Sequence, residues 1–324
     1  MNNAEASFTV REPKIKKLKV EGRELIIPRR VTIETLYGCN LSCIMCPIRL
    51  PAKRAKGQME IGMYREILDS LVPFLEHIEM MDLFGLGEPL LDPFLYERIR
   101  YAKLLGFRSI GISTNADLLT DERQRDLLES GIDNVIISID GATAEIHESI
   151  RVGSKFDTAV ANSRRLIKIR DQDGYATRVV VRFIKQNANR DEWDAFKALW
   201  LNVISRDKGD EVSCYDVHAW GDATPSKDDT LGTVGKVESV ERAACFMPFE
   251  ILYILADGSV VLCSEDWYEG KHTFGNVKEA CPIEVFNSKS FNAIREVHLK
   301  GEKNRIPICS NCTMLYSNAI KQNA

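Results

Sequence analysis

One alternation recurs along the chain. A short apolar, β-branched run is followed by a longer stretch whose apolar positions return every three to four residues. The spacing predicts strands over 31–36, 78–84, 109–113, 134–139, 177–184 and 211–219, and helices over 60–77, 94–105, 120–130, 156–172 and 190–204. Strands that alternate with helices pair in parallel through right-handed crossovers. The expected fold class is therefore α/β: a partial (β/α)6 parallel barrel over 31–221, followed by a small C-terminal cysteine-rich module over 242–324. Residues 1–30 form an N-terminal extension with a hairpin turning at Gly22, and the polar stretch 222–241 reads as a linker. In parallel α/β folds, sites gather at the carboxyl ends of the strands.

Composition narrows the function classes. The 324 residues carry a net charge of -4, which gives no electrostatic case for nucleic acid. No apolar run approaches the roughly 20 residues of a membrane span. The first residues lack a basic segment leading into an apolar one, so no signal peptide is expected. Together with nine cysteines, this points to the reducing cytoplasm. There, clustered cysteines serve metals more often than disulfides.

Three cysteines fall within eight residues just after the first strand, in Cys39-Asn-Leu-Ser-Cys43-Ile-Met-Cys46. Three thiolates at these spacings can hold three irons of a 4Fe–4S cubane and leave the fourth open to a small ligand. Zinc is the alternative, but a structural zinc site closes on four ligands, usually from paired C-x2-C units. A second set comprises Cys245 and Cys263, which bracket a hairpin turning at Asp257-Gly258, and the clip Cys309-Ser-Asn-Cys312. On ligand count, these four fit a fully ligated cluster or zinc equally well. Cys281, before Pro282, has no expected role. Cys214 in the sixth strand is either a small buried hydrophobe or a thiol hydrogen donor facing the barrel interior. His218, Trp220 and Asp222 follow near that strand's end, where His218 is a structural residue or a substrate contact. Glu265-Asp-Trp267 either faces substrate or orients the hairpin.

The C-x3-C-x2-C motif after a first strand resembles the radical S-adenosylmethionine (SAM) superfamily. The resemblance implies reductive cleavage of SAM to a 5′-deoxyadenosyl radical, which takes a hydrogen atom from substrate. The loop Phe84-Gly-Leu-Gly87-Glu88-Pro89 stands where the family carries a Gly-Gly-Glu motif for the methionyl amine, with Leu86 replacing the first of those glycines. Ser113 and Asn115 match positions that bind ribose. Ser138 and Arg151, with Asp140, match contacts to the SAM carboxylate or ribose, and Gln186 lies where the adenosyl group would reach. Met45 takes the place of the usual aromatic residue near adenine. Caps, turns and solvated loops are the plain alternatives for these polar residues.

The C-x12-G-x4-C pattern with a terminal C-x2-C resembles the twitch form of the SPASM module, and the C-x5-C-x3-C continuation of full SPASM modules is absent. The resemblance implies one auxiliary 4Fe–4S cluster on Cys245, Cys263, Cys309 and Cys312. That arrangement is similar to an aminocyclitol dehydrogenase, so oxidation of a carbinol in a small polyol, aminocyclitol or sugar-like substrate is expected, with the auxiliary cluster as electron acceptor. The alternatives are an epimerase with Cys214 as hydrogen donor, or a peptide-modifying enzyme. The short segment before the first strand favours a small molecule over a peptide. A non-catalytic iron–sulfur protein would need neither the Gly-Leu-Gly-Glu loop nor Arg151. The partners implied are the small-molecule substrate and an external one-electron reductant such as flavodoxin or ferredoxin, with no nucleic acid and no membrane.

Overall fold

The structure, a computed structural model, describes residues 10–217, 220–223 and 238–316, except the Asp222 side chain. It opens with the antiparallel hairpin β1 (Lys17–Val20) and β2 (Arg23–Ile26). Glu21 and Gly22 both take positive φ at its turn, the backbone that matches the right-handed twist of paired strands.

Six parallel strands then form the barrel: β3 (Arg30–Ile33), β6 (Met80–Asp82), β7 (Ile110–Thr114), β8 (Asn134–Ser138), β9 (Arg178–Lys185) and β10 (Glu211–Asp216). Two short strands, β4 (Leu36–Tyr37) and β5 (Gly57–Gln58), pair antiparallel and enclose the cysteine loop between them. The connecting helices are α1 (Ile61–Leu71), α2 (Leu95–Leu105), α3 (Asp121–Glu129), α4 (Ala144–Ile150), α5 (Phe156–Gln172) and α6 (Trp193–Trp200). The sequence reading lacked α4, a short helix started by Thr143, whose hydroxyl accepts from the Ile146 amide.

The sheet does not end at β3. Strand β11 (Ile251–Ile254) pairs parallel with it, and β12 (Ser259–Val261) and β13 (Thr273–Asn276) follow antiparallel. One nine-stranded sheet results, in the order β10-β9-β8-β7-β6-β3-β11-β12-β13. The C-terminal segment thus continues the barrel sheet instead of standing apart from it. Its helices are α7 (Glu238–Arg242), α8 (Met247–Glu250), α9 (Pro282–Phe286), α10 (Lys289–Leu299) and α11 (Pro307–Ser310). Most of the expected linker lies outside the described residues.

Strand alternation divides the barrel into two chemistries. Toward the helices, Val31, Ile33, Val135, Ile137, Val179, Val181 and Phe183 are fully buried. Phe183 packs on Phe196 and Trp193 of α6, with ring centroids 4.8 and 5.6 Å apart. Each such side chain contributes roughly 1.5–3 kcal/mol on leaving water. The opposite face carries Thr32, Asp82, Ser113, Ser138 and Arg182, so the lumen is polar. Arg30 pairs with the buried Asp82 on this face. Among the described residues, no helix is long and apolar enough to cross a membrane.

Candidate active site

The residues singled out from the sequence lie at the carboxyl ends of successive strands. The cysteine loop follows β3 and β4. Its backbone is fastened to the turn after α4: the Ser42 amide donates to Val152 O (2.9 Å) and the Ile44 amide to Ile150 O (2.9 Å). On its other side, Gly38 bridges Gly87, and the Glu88 amide donates to Gly38 O at 2.9 Å. This approach leaves no room for a side chain at Gly87, where a Cβ would meet Leu36 O at 2.4 Å. That requirement for glycine is a physical reason for the Gly-Glu pair.

Cys43 is buried, and Cys39 and Cys46 are half-buried. Burial pushes the Cys39 thiol up to about 11 and that of Cys46 to about 12. Loading a cluster therefore displaces protons here. Met45 packs with Leu41, Ile150 and Val217. Among the described residues, no three of His, Cys, Asp and Glu converge tightly enough to hold a single metal ion.

Glu88 is 2% exposed and caps the helical turn begun by Pro89. Its Oε1 accepts from the Leu90 amide (3.1 Å) and the Thr114 hydroxyl (2.7 Å), and its Oε2 accepts from the Asn115 amide (2.8 Å). Oε2 retains capacity for one further donor. Burial raises the Glu88 pKa to about 7. The Asn115 side chain donates to Asn40 Oδ1 at 2.9 Å and reaches to 4.0 Å from Cys39 Sγ, tying the end of β7 to the cysteine loop.

Beyond β8, Asp140 and Arg151 form a buried ion pair at 2.8 Å. Asp140 Oδ1 also accepts from the Ile184 amide at 2.6 Å, and Arg151 Nε makes no hydrogen bond among the described residues. Gln186 starts a helical turn, its amide donating to Asn189 Oδ1 at 2.8 Å. Ser113 and Ser138 do not simply face open space. Arg182 on β9 donates to both hydroxyls, at 2.8 and 2.7 Å. Burial, and next the charge of Arg151, lowers the Arg182 pKa to about 10, and its Nε makes no hydrogen bond among the described residues. The sequence reading missed Arg182. Its signal was a charge inside an otherwise apolar strand, Val179-Val-Val-Arg-Phe-Ile184.

Cys214 requires a correction. It stands in register with Phe183, whereas its neighbour Ser213 stands in register with Arg182. Register partners in parallel strands share a face, so Cys214 lies on the helix side of β10, not in the lumen. Tyr215, in register with Ile184, is the lumen-side residue nearest the strand end. His218 lies outside the described residues.

The C-terminal segment gathers Cys245, Cys263, Cys309 and Cys312 around one largely apolar pocket, with Met247, Leu262 and Ile308 in its wall. Soft thiolates in an apolar pocket are the donor set an iron–sulfur cluster takes. Burial raises all four thiols, Cys245 to about 11 and Cys309 to about 12. Glu265 lines this pocket, and Asp266 accepts from the Lys271 and His272 amides at 2.9 and 2.7 Å, so that acidic run orients the hairpin.

Comparison with known proteins identifies two domains in the chain. The radical SAM superfamily model matches residues 33–183, and an iron–sulfur cluster-binding (SPASM) domain model matches residues 245–313. The chain carries a radical SAM domain followed by an iron–sulfur cluster-binding domain. Its cofactors are accordingly a 4Fe–4S cluster and SAM, with further iron–sulfur binding in the C-terminal domain. It is 25% identical over 318 residues to a tungsten-containing aldehyde ferredoxin oxidoreductase cofactor-modifying protein of Pyrococcus furiosus, covering 87% of this chain and 86% of that one. It is 20% identical over 288 residues to the S-adenosyl-L-methionine-dependent 2-deoxy-scyllo-inosamine dehydrogenase of Niallia circulans, covering 87% and 91%. It spans only 34% of the length of a mycofactocin maturase from Mycobacterium tuberculosis, to which it is 35% identical over 144 residues. Among solved structures, BtrN in complex with AdoMet and 2-DOIA superposes with a TM-score of 0.60 at 19% identity, over 88% of this chain and 93% of that chain. This likeness shows the shared fold.

Proposed function

We propose that this radical SAM enzyme oxidises a carbinol of a small polyol, aminocyclitol or sugar-like substrate. The observation that carries the reading is the convergence of four cysteines on one pocket of the C-terminal domain, in a chain that aligns with an aminocyclitol dehydrogenase over nearly its full length. Cys39, Cys43 and Cys46 would hold the first cluster, which, with SAM and an external reductant such as flavodoxin or ferredoxin, would supply the radical chemistry that removes one hydrogen atom from substrate. An alcohol carbon that has lost a hydrogen atom must give up one electron and one proton to become a carbonyl. Cys245, Cys263, Cys309 and Cys312 would hold an auxiliary cluster, and the chemistry it would supply there is acceptance of that electron.

The protein's own part is placement. Glu88 receives the methionyl ammonium on Oε2, and Arg151 offers its Nε to the carboxylate end of SAM. Ser113 and Ser138 remain the candidates for the SAM ribose and carboxylate, and Arg182, which donates to both, and Tyr215 line the lumen and are the groups disposed to hold substrate hydroxyls. Cys214 lies on the opposite face of the strand, away from where a hydrogen donor would have to stand. The reducing cytoplasm suits both clusters.

The test is Cys309→Ala with Cys312→Ala in anaerobically reconstituted protein. It is expected to form 5′-deoxyadenosine but little oxidised product. Undiminished oxidation would overturn the electron-acceptor role. Product formed in deuterated water separates the alternatives: dehydrogenation removes two hydrogens, whereas epimerisation adds one deuterium. A modified peptide with no turnover of polyols would favour the maturase-like reading.

A further inference from the structure

The auxiliary pocket holds more than thiols. His298 from α10 and Lys303 also line it, and they are 1% and 4% exposed. His298 Nδ1 accepts from the Cys245 amide at 3.3 Å. A neutral imidazole that accepts at Nδ1 carries its proton on Nε2. Here Nε2 lies 3.7 Å from Cys309 Sγ, within reach of an N–H···S bond. Among the described residues, the Lys303 ammonium donates to Val240 O at 2.7 Å, and it shares the pocket wall with Cys245, Cys309 and Cys312. Glu265 is the opposing charge in the pocket wall, and its carboxylate accepts from the Gly221 amide at 3.4 Å.

We propose that His298 and Lys303 raise the reduction potential of the auxiliary cluster, His298 by donating a hydrogen bond to the Cys309 thiolate and Lys303 by fixing a positive charge beside three of the ligands. The inference rests on the four-cysteine reading given above. A cluster that accepts one electron gains one negative charge. A donor and a cation held in an apolar pocket stabilise that charge more strongly than water-exposed groups would. Hydrogen bonds to sulfur, local charge and solvent exposure are the protein's levers on cluster potential, and all three converge here. Lys303 also offsets Glu265, which alone would make the cluster harder to reduce. The two residues are positioning groups for electron acceptance and do not touch substrate.

The test uses the full chain carrying Cys39→Ala, Cys43→Ala and Cys46→Ala, so that only the auxiliary site loads. Iron content and a redox titration followed by electron paramagnetic resonance are the readouts. The parent is expected to hold about four irons. His298→Leu and Lys303→Met should keep that iron and each shift the midpoint to a more negative potential. His298→Gln, whose amide can still donate, should stay close to the parent. Unchanged midpoints in both His298→Leu and Lys303→Met at full iron content would overturn the inference, as would loss of iron in His298→Gln, which would make the ring a ligand. A parent without iron would overturn the four-cysteine assignment itself, and this inference with it.

Discussion

Arg151 lies 2.8 Å from Asp140, and the pair locks the end of β8 to the turn that supports the cysteine loop. Both groups are almost wholly out of water, and Asp140 is further held by the Ile184 amide. Removing one partner leaves a buried charge without compensation, which costs about 3–5 kcal/mol. Arg151→Ala should therefore lower stability by that order in urea unfolding, and Arg151→Met with Asp140→Asn should lower it less. Arg151→Lys keeps a charge but loses the planar fork, and should weaken SAM binding by about 1.5–3 kcal/mol, as read by anaerobic titration of the reconstituted protein.

Glu88 predicts a pH dependence. Burial raises its pKa from 4.5 to about 7, so the folded protein holds this proton more tightly than the unfolded chain does. Its contribution to stability is thus lost as pH rises from 4.5 to about 7. SAM binding should run the other way, because an ammonium needs the ionised carboxylate. Affinity should climb as pH passes through about 7. Glu88→Gln should flatten that climb and weaken binding by about 1.5–3 kcal/mol. An unaltered pH profile in Glu88→Gln would show that the loop serves only as a turn.

The sequence exposed features set by local chemistry. Cys39, Cys43 and Cys46 declare themselves by spacing, and Val179, Val181 and Phe183 by alternation. What it hid depends on phase and on distant pairing. Cys214 sits in an edge strand, Glu211–Asp216, whose alternation is too weak to say which set of side chains points inward. Only its register with β9 fixes the face. Arg182 was lost for the same reason, since a charge in a strand can point to lumen or solvent. The docking of β11 on β3 joins residues more than 200 positions apart, and no local pattern encodes it. His298 and Lys303 look like ordinary polar helix and turn residues until α10 is packed over the pocket.

That distant docking is fastened by a second buried ion pair. Arg54 forks onto Glu34 at 2.9 and 3.0 Å, donates from Nε to Trp267 O at 2.8 Å, and lies over the Tyr37 ring at 4.2 Å. Glu34 in turn accepts from the Leu86 and Ala256 amides, both at 3.1 Å. One carboxylate thus joins the end of β3, the Gly-Leu-Gly-Glu loop and the C-terminal segment. Arg54→Met should destabilise the fold by about 3–5 kcal/mol. With Glu34→Gln already present, the same change should cost clearly less, so the urea-unfolding double-mutant cycle should be non-additive. Additive losses would mean that the two side chains act independently.

Cys214 separates the two carbon-centred chemistries open to this fold. In an epimerase that uses it, the thiol must stand in the lumen and return a hydrogen atom to the substrate. Its register with Phe183 instead sets it against the layer of α6, where a thiol acts as a small apolar filler. Cys214→Ala removes a single sulfur from a half-buried position, and should cost less than about 1.5 kcal/mol of stability. 5′-Deoxyadenosine formation and the yield of oxidised product should both remain at the parent level, measured by chromatography under anaerobic turnover. If Cys214→Ala abolishes product while substrate radicals still accumulate in the resonance spectrum, the dehydrogenase reading fails. The strand would then have to present its other face during turnover.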